Sequence, residues 1–174
     1  IPFPNCKNII QVNTAKEMLV NVTQQLPTDV LICSAAVADW KLIPKTSSNN
    51  KIDTNNKIKK TNEKLLFKAE KNPDILETIA KSNIRPKIVI GFSAETTNIN
   101  YYAHSKLISK NIDLIIANDV SNNKVFGEEF NKVSIIEKNN CEEWKKQSKK
   151  SVAYNLANKI NDLLINYNKR GVNA

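Results

Sequence analysis

Residues 87–117 read KIVIGFSAETTNINYYAHSKLISKNIDLIIA, and this stretch decides the fold. It contains two apolar runs, Lys87 to Ser93 and Leu114 to Ala117, each with the composition of a buried strand. A helix is predicted between them, from Tyr101 to Lys110. Strand, helix and strand in this order are typical of a parallel sheet with helical crossover connections. The stretch therefore predicts an α/β fold.

The alternation of strands and helices continues on both sides of this stretch. Further strands are predicted at Asn8–Val12, Val30–Val37, Leu65–Phe67 and Val133–Ile136. Val30–Val37 is continuously apolar, so we expect it to be buried on both faces of a sheet. A final helix is predicted from Lys149 to Tyr167, where apolar residues recur at helical spacing. We predict a Rossmann-like fold, with a mostly parallel sheet flanked by helices.

Capping residues mark the starts of two other helices. Thr14 and Glu17 have the spacing of a capping box, and Pro27 ends the helix that follows. Asn72 is predicted to cap the second helix, with Pro73 at its first position. These signals place both helices between predicted strands, as the α/β interpretation requires.

Length and hydropathy limit the class of protein. The 174 residues have the length of one domain, so we expect a single domain over residues 1–174. Residues 41–62 are polar and are predicted to form a long mobile loop within it. No apolar run is long enough to span a membrane, and the first residues do not resemble a signal peptide. We therefore expect a soluble, cytoplasmic protein.

Residues of common catalytic and metal sites are scarce. Cys6, Cys33 and Cys141 form no CxxC pair, and His104 is the only histidine, which argues against disulfide frameworks, zinc sites and His-based triads. The three glycines cannot form a GxGxxG fingerprint or a P-loop, so a nucleotide would bind through other elements. The net charge of +9 fits a polynucleotide, a phosphate-bearing small substrate or a solvated basic surface.

Two segments in the first half of the chain suit a nucleotide. Ser34–Trp40 reads SAAVADW, in which small side chains let a ligand approach the backbone and Asp39 can bind a base, a ribose or hydrated magnesium. Alternatively, the alanines pack against a helix and Asp39 caps the loop. Lys57–Lys60 ends the polar loop, where a lysine can close on a triphosphate or can be an ordinary solvated charge.

Three features in the second half of the chain can likewise be interpreted as nucleotide-binding or as purely structural. The helix start at Asn72–Leu76 offers N–H groups to an anion, and Phe92 ends a strand where its ring can stack on a base. Lys106 and Lys110 lie four residues apart on one helix face and repel each other unless an anion lies between them. The structural alternatives are a plain helix start, a core phenylalanine and surface lysines.

The ordered set of these motifs, together with GFSAET at residues 91–96, resembles the phosphopantothenoylcysteine synthetase (phosphopantothenate–cysteine ligase) family of coenzyme A synthesis. The similarity runs from Thr14 to about Ile136. It implies a set of nucleotide-binding residues: Asp39, Lys57, Pro73, Asp74, Ile75, Leu76, Phe92, Lys106 and Lys110. It also implies that Lys57 is catalytic, on a loop that closes over the reaction centre. It identifies no metal ligand.

The family joins 4′-phosphopantothenate to L-cysteine in two steps. A nucleoside triphosphate, CTP in bacterial members and ATP in eukaryotic ones, activates the carboxylate as an acyl nucleotidylate. The cysteine amine then displaces the nucleoside monophosphate. The resemblance implies CTP as co-substrate, an acyl-cytidylate intermediate, Mg²⁺ and a homodimer, and we expect neither a membrane nor a nucleic-acid partner.

Family members begin with a strand, a glycine-containing turn and a helix that this sequence does not match. The sequence therefore resembles the C-terminal portion of the ligase, and we expect a Rossmann-like fold that lacks this strand–helix segment. A separately encoded N-terminal segment could complete it. Two alternatives stay open: an inactive remnant that folds and dimerises, and a basic nucleic-acid-binding domain.

Overall fold

The computed structural model describes residues 6–45, 52, 64–120 and 129–172. These residues form two compact units, the first within Ile1–Asn21 and Ala36–Asp74 and the second within Val22–Ala35 and Ile75–Ala174. The helices and strands of the described residues are, in chain order, α1 (Ala15–Gln24), β1 (Val30–Cys33), β2 (Trp40–Lys45), β3 (Leu66–Lys71), α2 (Ile75–Ala80), β4 (Ile88–Glu95), α3 (Ile99–Lys110), β5 (Leu114–Asp119), β6 (Phe130–Glu137), β7 (Asn140–Ser148) and α4 (Lys149–Val172). None of these helices combines the length and apolar character that crossing a membrane requires.

The second unit contains a sheet with the strand order β1-β4-β5-β6-β7. β1, β4 and β5 are parallel, and β6 and β7 extend the sheet as antiparallel strands. α3 connects β4 to β5, as predicted. The Rossmann-like α/β fold is therefore confirmed, with an antiparallel ribbon added to the parallel strands.

The core of the second unit lies on both faces of this sheet. On one face, side chains of α2 and α3 pack with those of the strands: Ala80, Val89, Ala103, Leu107, Ile112, Ile115, Ala117 and Ile136. On the other face, α4 packs with the alternate strand residues: Ile88, Ile90, Leu114, Ile116, Val133, Ile135, Val152 and Leu156. Period-two alternation along β4 and β5 produces this division, since successive side chains point to opposite faces.

The first unit contains a ribbon of two antiparallel strands. β2 and β3 pair from Trp40 opposite Lys71 to Lys45 opposite Leu66. Every residue of β3 is exposed. Trp40, Leu42 and Phe67 lie on the same face of the ribbon and are all mostly exposed, because directly opposite residues and alternate positions share a face. The backbone ladder, rather than a buried core, defines this ribbon.

Two predictions near the amino terminus are wrong, one in the existence of a strand and one in its extent. Residues 8–12 form no strand and have no partner strand among the described residues, and an unpaired extended segment leaves its backbone groups without ladder bonds. β1 ends at Cys33 instead of Val37, and residues 34–37 are exposed. The only described neighbour of β1 is β4, and Ile32 is half exposed, so the strand is not buried on both faces.

Three other boundaries differ from the sequence predictions. Residues 41–45 belong to β2 and not to a loop, because they pair with β3, and residues 46–62 other than Ile52 lie outside the described part. β7 was not predicted, since its residues are mostly polar, yet it pairs with β6 along its length. α2 begins at Ile75 instead of Pro73, and the side-chain amide of Asn72 donates to the carbonyl oxygen of Ala38.

Candidate functional site

Three polar side chains meet at the carboxyl end of β4. Ser93 and Glu95 lie two residues apart on the strand, so they face the same side as α3, which carries Lys106. Nζ of Lys106 donates to Oε1 of Glu95 at 2.6 Å, and Oγ of Ser93 donates to the same oxygen. Glu95 is 13% exposed, against 47% for Lys106. The cluster fixes a cation at the carboxyl edge of parallel strands, where open α/β sheets bind ligands.

The charge of Glu95 is set by competing effects. Burial alone would raise the pKa of Glu95, but hydrogen bonds from Lys106 and Ser93 and the charge of Lys106 outweigh it, so the pKa is lowered. The carboxylate is therefore ionised at neutral pH. Sequence reasoning did not select Ser93 or Glu95 as site residues, although both belong to the GFSAET motif. Their spacing of two at a strand end was the signal that could have found them.

Phe92 and Lys110 lie on opposite sides of the sheet. Lys110 lies one turn beyond Lys106 on the same side of α3, as predicted, and is half-buried. Phe92 precedes Ser93 on β4, so its partly exposed ring points to the opposite face of the sheet, the side of α4. A ligand that touches both Phe92 and Lys106 must therefore lie over the edge of the sheet.

Ile75 and Leu76 belong to the core of the second unit. Ile75 is buried, and Leu76 packs against the first core cluster. A Cβ atom added to Gly91 would lie 2.7 Å from Cδ2 of Leu76, so any larger residue there must displace the Leu76 side chain. A nucleotide contact at these two predicted positions would therefore involve the backbone more than the side chains. α2 has six residues, so its dipole is short.

In the first unit, Asp39 and Asn72 close one end of the β2–β3 ribbon. The backbone N–H of Asn72 donates to the carbonyl oxygen of Asp39 at 2.8 Å, and Nδ2 of Asn72 donates to that of Ala38 at 2.9 Å. Asp39 is exposed, and Pro73 and Asp74, which follow Asn72, are half-buried. The structure thus brings Asp39 and the Pro73–Asp74 segment to the same end of the ribbon.

The alanines that precede Asp39 do not pack against a helix, which was the structural alternative to a ligand site. Residues 34–38 are all exposed, so the interpretation that the alanines pack against a helix is wrong. Lys57, the predicted catalytic residue, lies outside the described residues. The predicted site residues with a described position therefore fall into two sets: Asp39, Pro73 and Asp74 in the first unit, and Ile75, Leu76, Phe92, Lys106 and Lys110 in the second.

The described part of the chain contains no cluster of side chains that would form a metal-binding site by itself. No group of three or more His, Cys, Asp or Glu side chains within it could hold a metal ion. The most buried carboxylate of the candidate site, Glu95, is instead paired with Lys106. Mg²⁺ commonly binds through one or two carboxylates together with substrate phosphates, so a magnesium ion could arrive with a phosphate-bearing ligand.

Comparison with known proteins identifies relatives over most of the chain. Residues 1–164 match the profile of the DNA/pantothenate metabolism flavoprotein C-terminal domain. The chain is 41% identical over 152 residues to the coenzyme A biosynthesis bifunctional protein CoaBC of Borreliella burgdorferi, covering 86% of this chain and 36% of that protein. It is 34% identical over 158 residues to CoaBC of Haemophilus influenzae, covering 90% of this chain and 38% of that protein. The chain thus spans well under half the length of these relatives.

Solved structures agree with these relationships. The crystal structure of the C-terminal domain of coenzyme A biosynthesis bifunctional protein CoaBC superposes with a TM-score of 0.66 and 30% identity, covering 90% of this chain and 66% of that one. The DNA/pantothenate metabolism flavoprotein from Streptococcus pneumoniae superposes with a TM-score of 0.72 and 26% identity, covering 93% of this chain and 75% of that one. By sequence and by fold, this chain belongs to the DNA/pantothenate metabolism flavoprotein C-terminal domain family.

Proposed function

We propose that this chain provides the ligase chemistry that joins 4′-phosphopantothenate and L-cysteine into 4′-phosphopantothenoylcysteine in coenzyme A biosynthesis. The observation that carries the proposal is its similarity, over most of its length, to coenzyme A biosynthesis bifunctional proteins. The motif order described above supports the same function, because it follows that of phosphopantothenate–cysteine ligases.

The proposed reaction uses CTP and passes through an acyl-cytidylate. The phosphopantothenate carboxylate attacks the α-phosphorus of CTP and pyrophosphate leaves; the cysteine amine then attacks the acyl carbon and CMP leaves. Mg²⁺ supplied with the triphosphate offsets its negative charge. In this proposal Lys106 and Lys110 bind phosphate oxygens, Asp39 binds the nucleoside, and Lys57 stabilises charge at the α-phosphorus.

The described geometry supports this assignment of the phosphate-binding end. The ammonium group of Lys106 is held at the carboxyl edge of the parallel strands and is half exposed to solvent. Lys110 lies on the same side of α3. Phe92 offers a partly exposed ring at the same strand end, although on the other face of the sheet. A lysine and an aromatic ring at one sheet edge suit a nucleotide that lies across that edge.

We also propose that the chain forms a homodimer and that a separately encoded N-terminal segment is a candidate partner. The exposed apolar face formed by Trp40, Leu42 and Phe67 supports the dimer, because apolar patches of this kind are often covered by a protein partner. Analytical ultracentrifugation tests it: Leu42→Ser is expected to weaken the dimer, and a wild-type chain that is monomeric at all concentrations contradicts it.

The net charge of +9 favours polynucleotide binding as a second candidate. Several lysines of the described residues are, however, paired with carboxylates: Lys68, Lys81, Lys87, Lys132 and Lys159. Such pairs reduce the positive potential that would attract nucleic acid. We therefore propose no nucleic-acid partner, and tight DNA or RNA binding with a steep salt dependence would contradict this.

Isothermal titration calorimetry with CTP tests the proposed ligase function. We expect magnesium-dependent CTP binding, weakened by Lys57→Ala and unchanged by Lys145→Ala, which removes an exposed lysine of β7 instead. A parallel titration with ATP tests the choice of nucleotide. If the wild-type chain binds no CTP, either alone or with the N-terminal segment supplied, the proposal is wrong.

A further inference from the structure

We propose that Glu95 is a positioning residue, which holds the ammonium group of Lys106 at the end of β4 so that it is already in place when nucleotide phosphates arrive. This inference rests on the proposed function, because that function supplies the triphosphate. It concerns a residue that binds no nucleotide itself and acts only through Lys106.

Glu95 is suited to act as a rigid anchor. Its backbone lies in the β4–β5 ladder opposite Asp119, and its carbonyl oxygen accepts a hydrogen bond from the N–H of Val120 at 3.0 Å. Its side chain is mostly buried, and Oγ of Ser93, itself buried, donates to the carboxylate. Backbone and side chain are thus both fixed, so the carboxylate offers one defined position for a cation.

Lys106 is suited to be the anchored and accessible partner. It extends from α3, and about half of its side chain is in contact with solvent. An ammonium group has three N–H donors, and the bond to Oε1 of Glu95 uses one of them. Lys106 can therefore bind a phosphate oxygen while it keeps its contact with Glu95. Anchoring the long side chain in advance reduces the conformational entropy that is lost when the ligand binds.

An exposed ion pair elsewhere in the second unit provides a matched comparison. Nζ of Lys132 lies 2.9 Å from Oε2 of Glu143, and both side chains are mostly exposed, at 60% and 56%. Both pairs join a lysine to a glutamate, but only the Glu95 pair combines a buried carboxylate with the candidate site.

Lysine labelling without nucleotide tests whether Glu95 holds Lys106. A brief pulse of acetic anhydride, read out by mass spectrometry, is expected to label Lys106 several-fold faster in Glu95→Gln than in the wild type. Glu143→Gln should change the labelling of Lys132 and leave that of Lys106 unchanged. An unchanged rate at Lys106 in a folded Glu95→Gln variant overturns the inference, whatever the chain does with CTP.

A double-mutant cycle tests whether this positioning serves nucleotide binding. Glu95→Gln is expected to weaken CTP binding about tenfold, as for the loss of one charged hydrogen bond, and to have no further effect when Lys106 is already alanine. Equal losses in both backgrounds, or tighter CTP binding by Glu95→Gln, overturn the inference. If the wild type binds no CTP, either alone or with the N-terminal segment supplied, the proposed function fails and the positioning role fails with it, while the labelling result separately reports the ion pair.

Ser93→Ala keeps the test decisive if Glu95→Gln does not fold. This change removes one donor to the carboxylate but leaves the charge of Glu95 and its pair with Lys106 in place. We expect faster labelling of Lys106 and weaker CTP binding, each by less than for Glu95→Gln. A Ser93→Ala variant that is folded and indistinguishable from the wild type in both measurements counts against the inference.

Discussion

The two units hold their candidate site residues by different means. In the second unit, a sheet with a core on both faces fixes β4 and α3, and a mostly buried carboxylate then fixes Lys106. In the first unit, Asp39 lies at the end of a ribbon in which every residue of β3 is exposed, and Asn72 donates hydrogen bonds to the carbonyl oxygens of Asp39 and Ala38. Packing therefore sets the geometry of the second unit, whereas a backbone ladder sets that of the first.

The largest expected difference between the units is the cost of removing an apolar side chain. Ile116→Ala empties a fully buried position of β5 and should lower the free energy of unfolding by about 2–5 kcal/mol. Leu66→Ala, on the ribbon face opposite Leu42, should change it by less than about 0.5 kcal/mol because Leu66 is exposed. Urea unfolding of both variants measures the contrast, and equal losses would show that the ribbon also has a buried core.

Overpacking at Gly91 should give the next largest effect. An added Cβ would lie 2.7 Å from Cδ2 of Leu76 and 3.2 Å from Cδ1 of Ile112, so Gly91→Val must displace both side chains. We expect a loss of about 1–3 kcal/mol in the free energy of unfolding, and a smaller loss for Gly91→Ala because Leu76 can move. A Gly91→Val variant as stable as the wild type would contradict the close packing of α2 on β4.

Loss of the ion pair between Glu95 and Lys106 should lower the free energy of unfolding by a smaller amount that depends on pH. Because the pKa of Glu95 is lowered in the folded chain, its stabilisation is complete above the ordinary pKa of glutamate and is lost as the pH falls through the folded value. Glu95→Gln should therefore cost about 1 kcal/mol near neutral pH, and the cost should shrink as the pH falls below the ordinary pKa of glutamate. Urea unfolding at several pH values measures this. A cost that grows toward low pH would contradict the assigned charge.

The smallest effect on stability is expected at the exposed ion pair of Lys68 and Glu70 in the first unit. A hydrogen bond from Lys68 and its charge lower the pKa of Glu70, but both side chains are exposed. Solvent screens such a pair, so Glu70→Gln should leave the unfolding midpoint almost unchanged at any ionic strength. A clear loss of stability at low salt that disappears at high salt would show that the ribbon depends on this pair.

Elements whose signals are local could be predicted from the sequence. The capping box is confirmed in part: the N–H of Glu17 donates to Oγ1 of Thr14 at 3.2 Å, while the Glu17 carboxylate accepts from the N–H of Asn13 at 2.8 Å. The apolar stripe of α4 is confirmed at Val152 and Leu156, which are buried. Helix caps and core stripes depend on residues within a few positions of one another, so a single sequence contains the information.

Elements that depend on distant partners could not be predicted in this way. β7 is polar and becomes a strand only because β6 lies beside it. Asn72 has the form of a helix cap, yet its side chain bonds to Ala38, 34 residues earlier. Glu95 and Lys106 are 11 residues apart on a strand and a helix, and only the packing of α3 on β4 brings them together. In each case, contacts with residues that are distant in sequence determine which of the locally possible structures forms.

Direct detection of the ligation product tests the central claim. The chain is incubated with 4′-phosphopantothenate, L-cysteine, CTP and Mg²⁺, with and without the N-terminal segment, and the mixture is analysed by mass spectrometry. We predict 4′-phosphopantothenoylcysteine together with CMP and pyrophosphate, and much less of each with Lys57→Ala. A folded chain that binds no CTP and forms no product in either mixture would contradict the account and favour an inactive remnant.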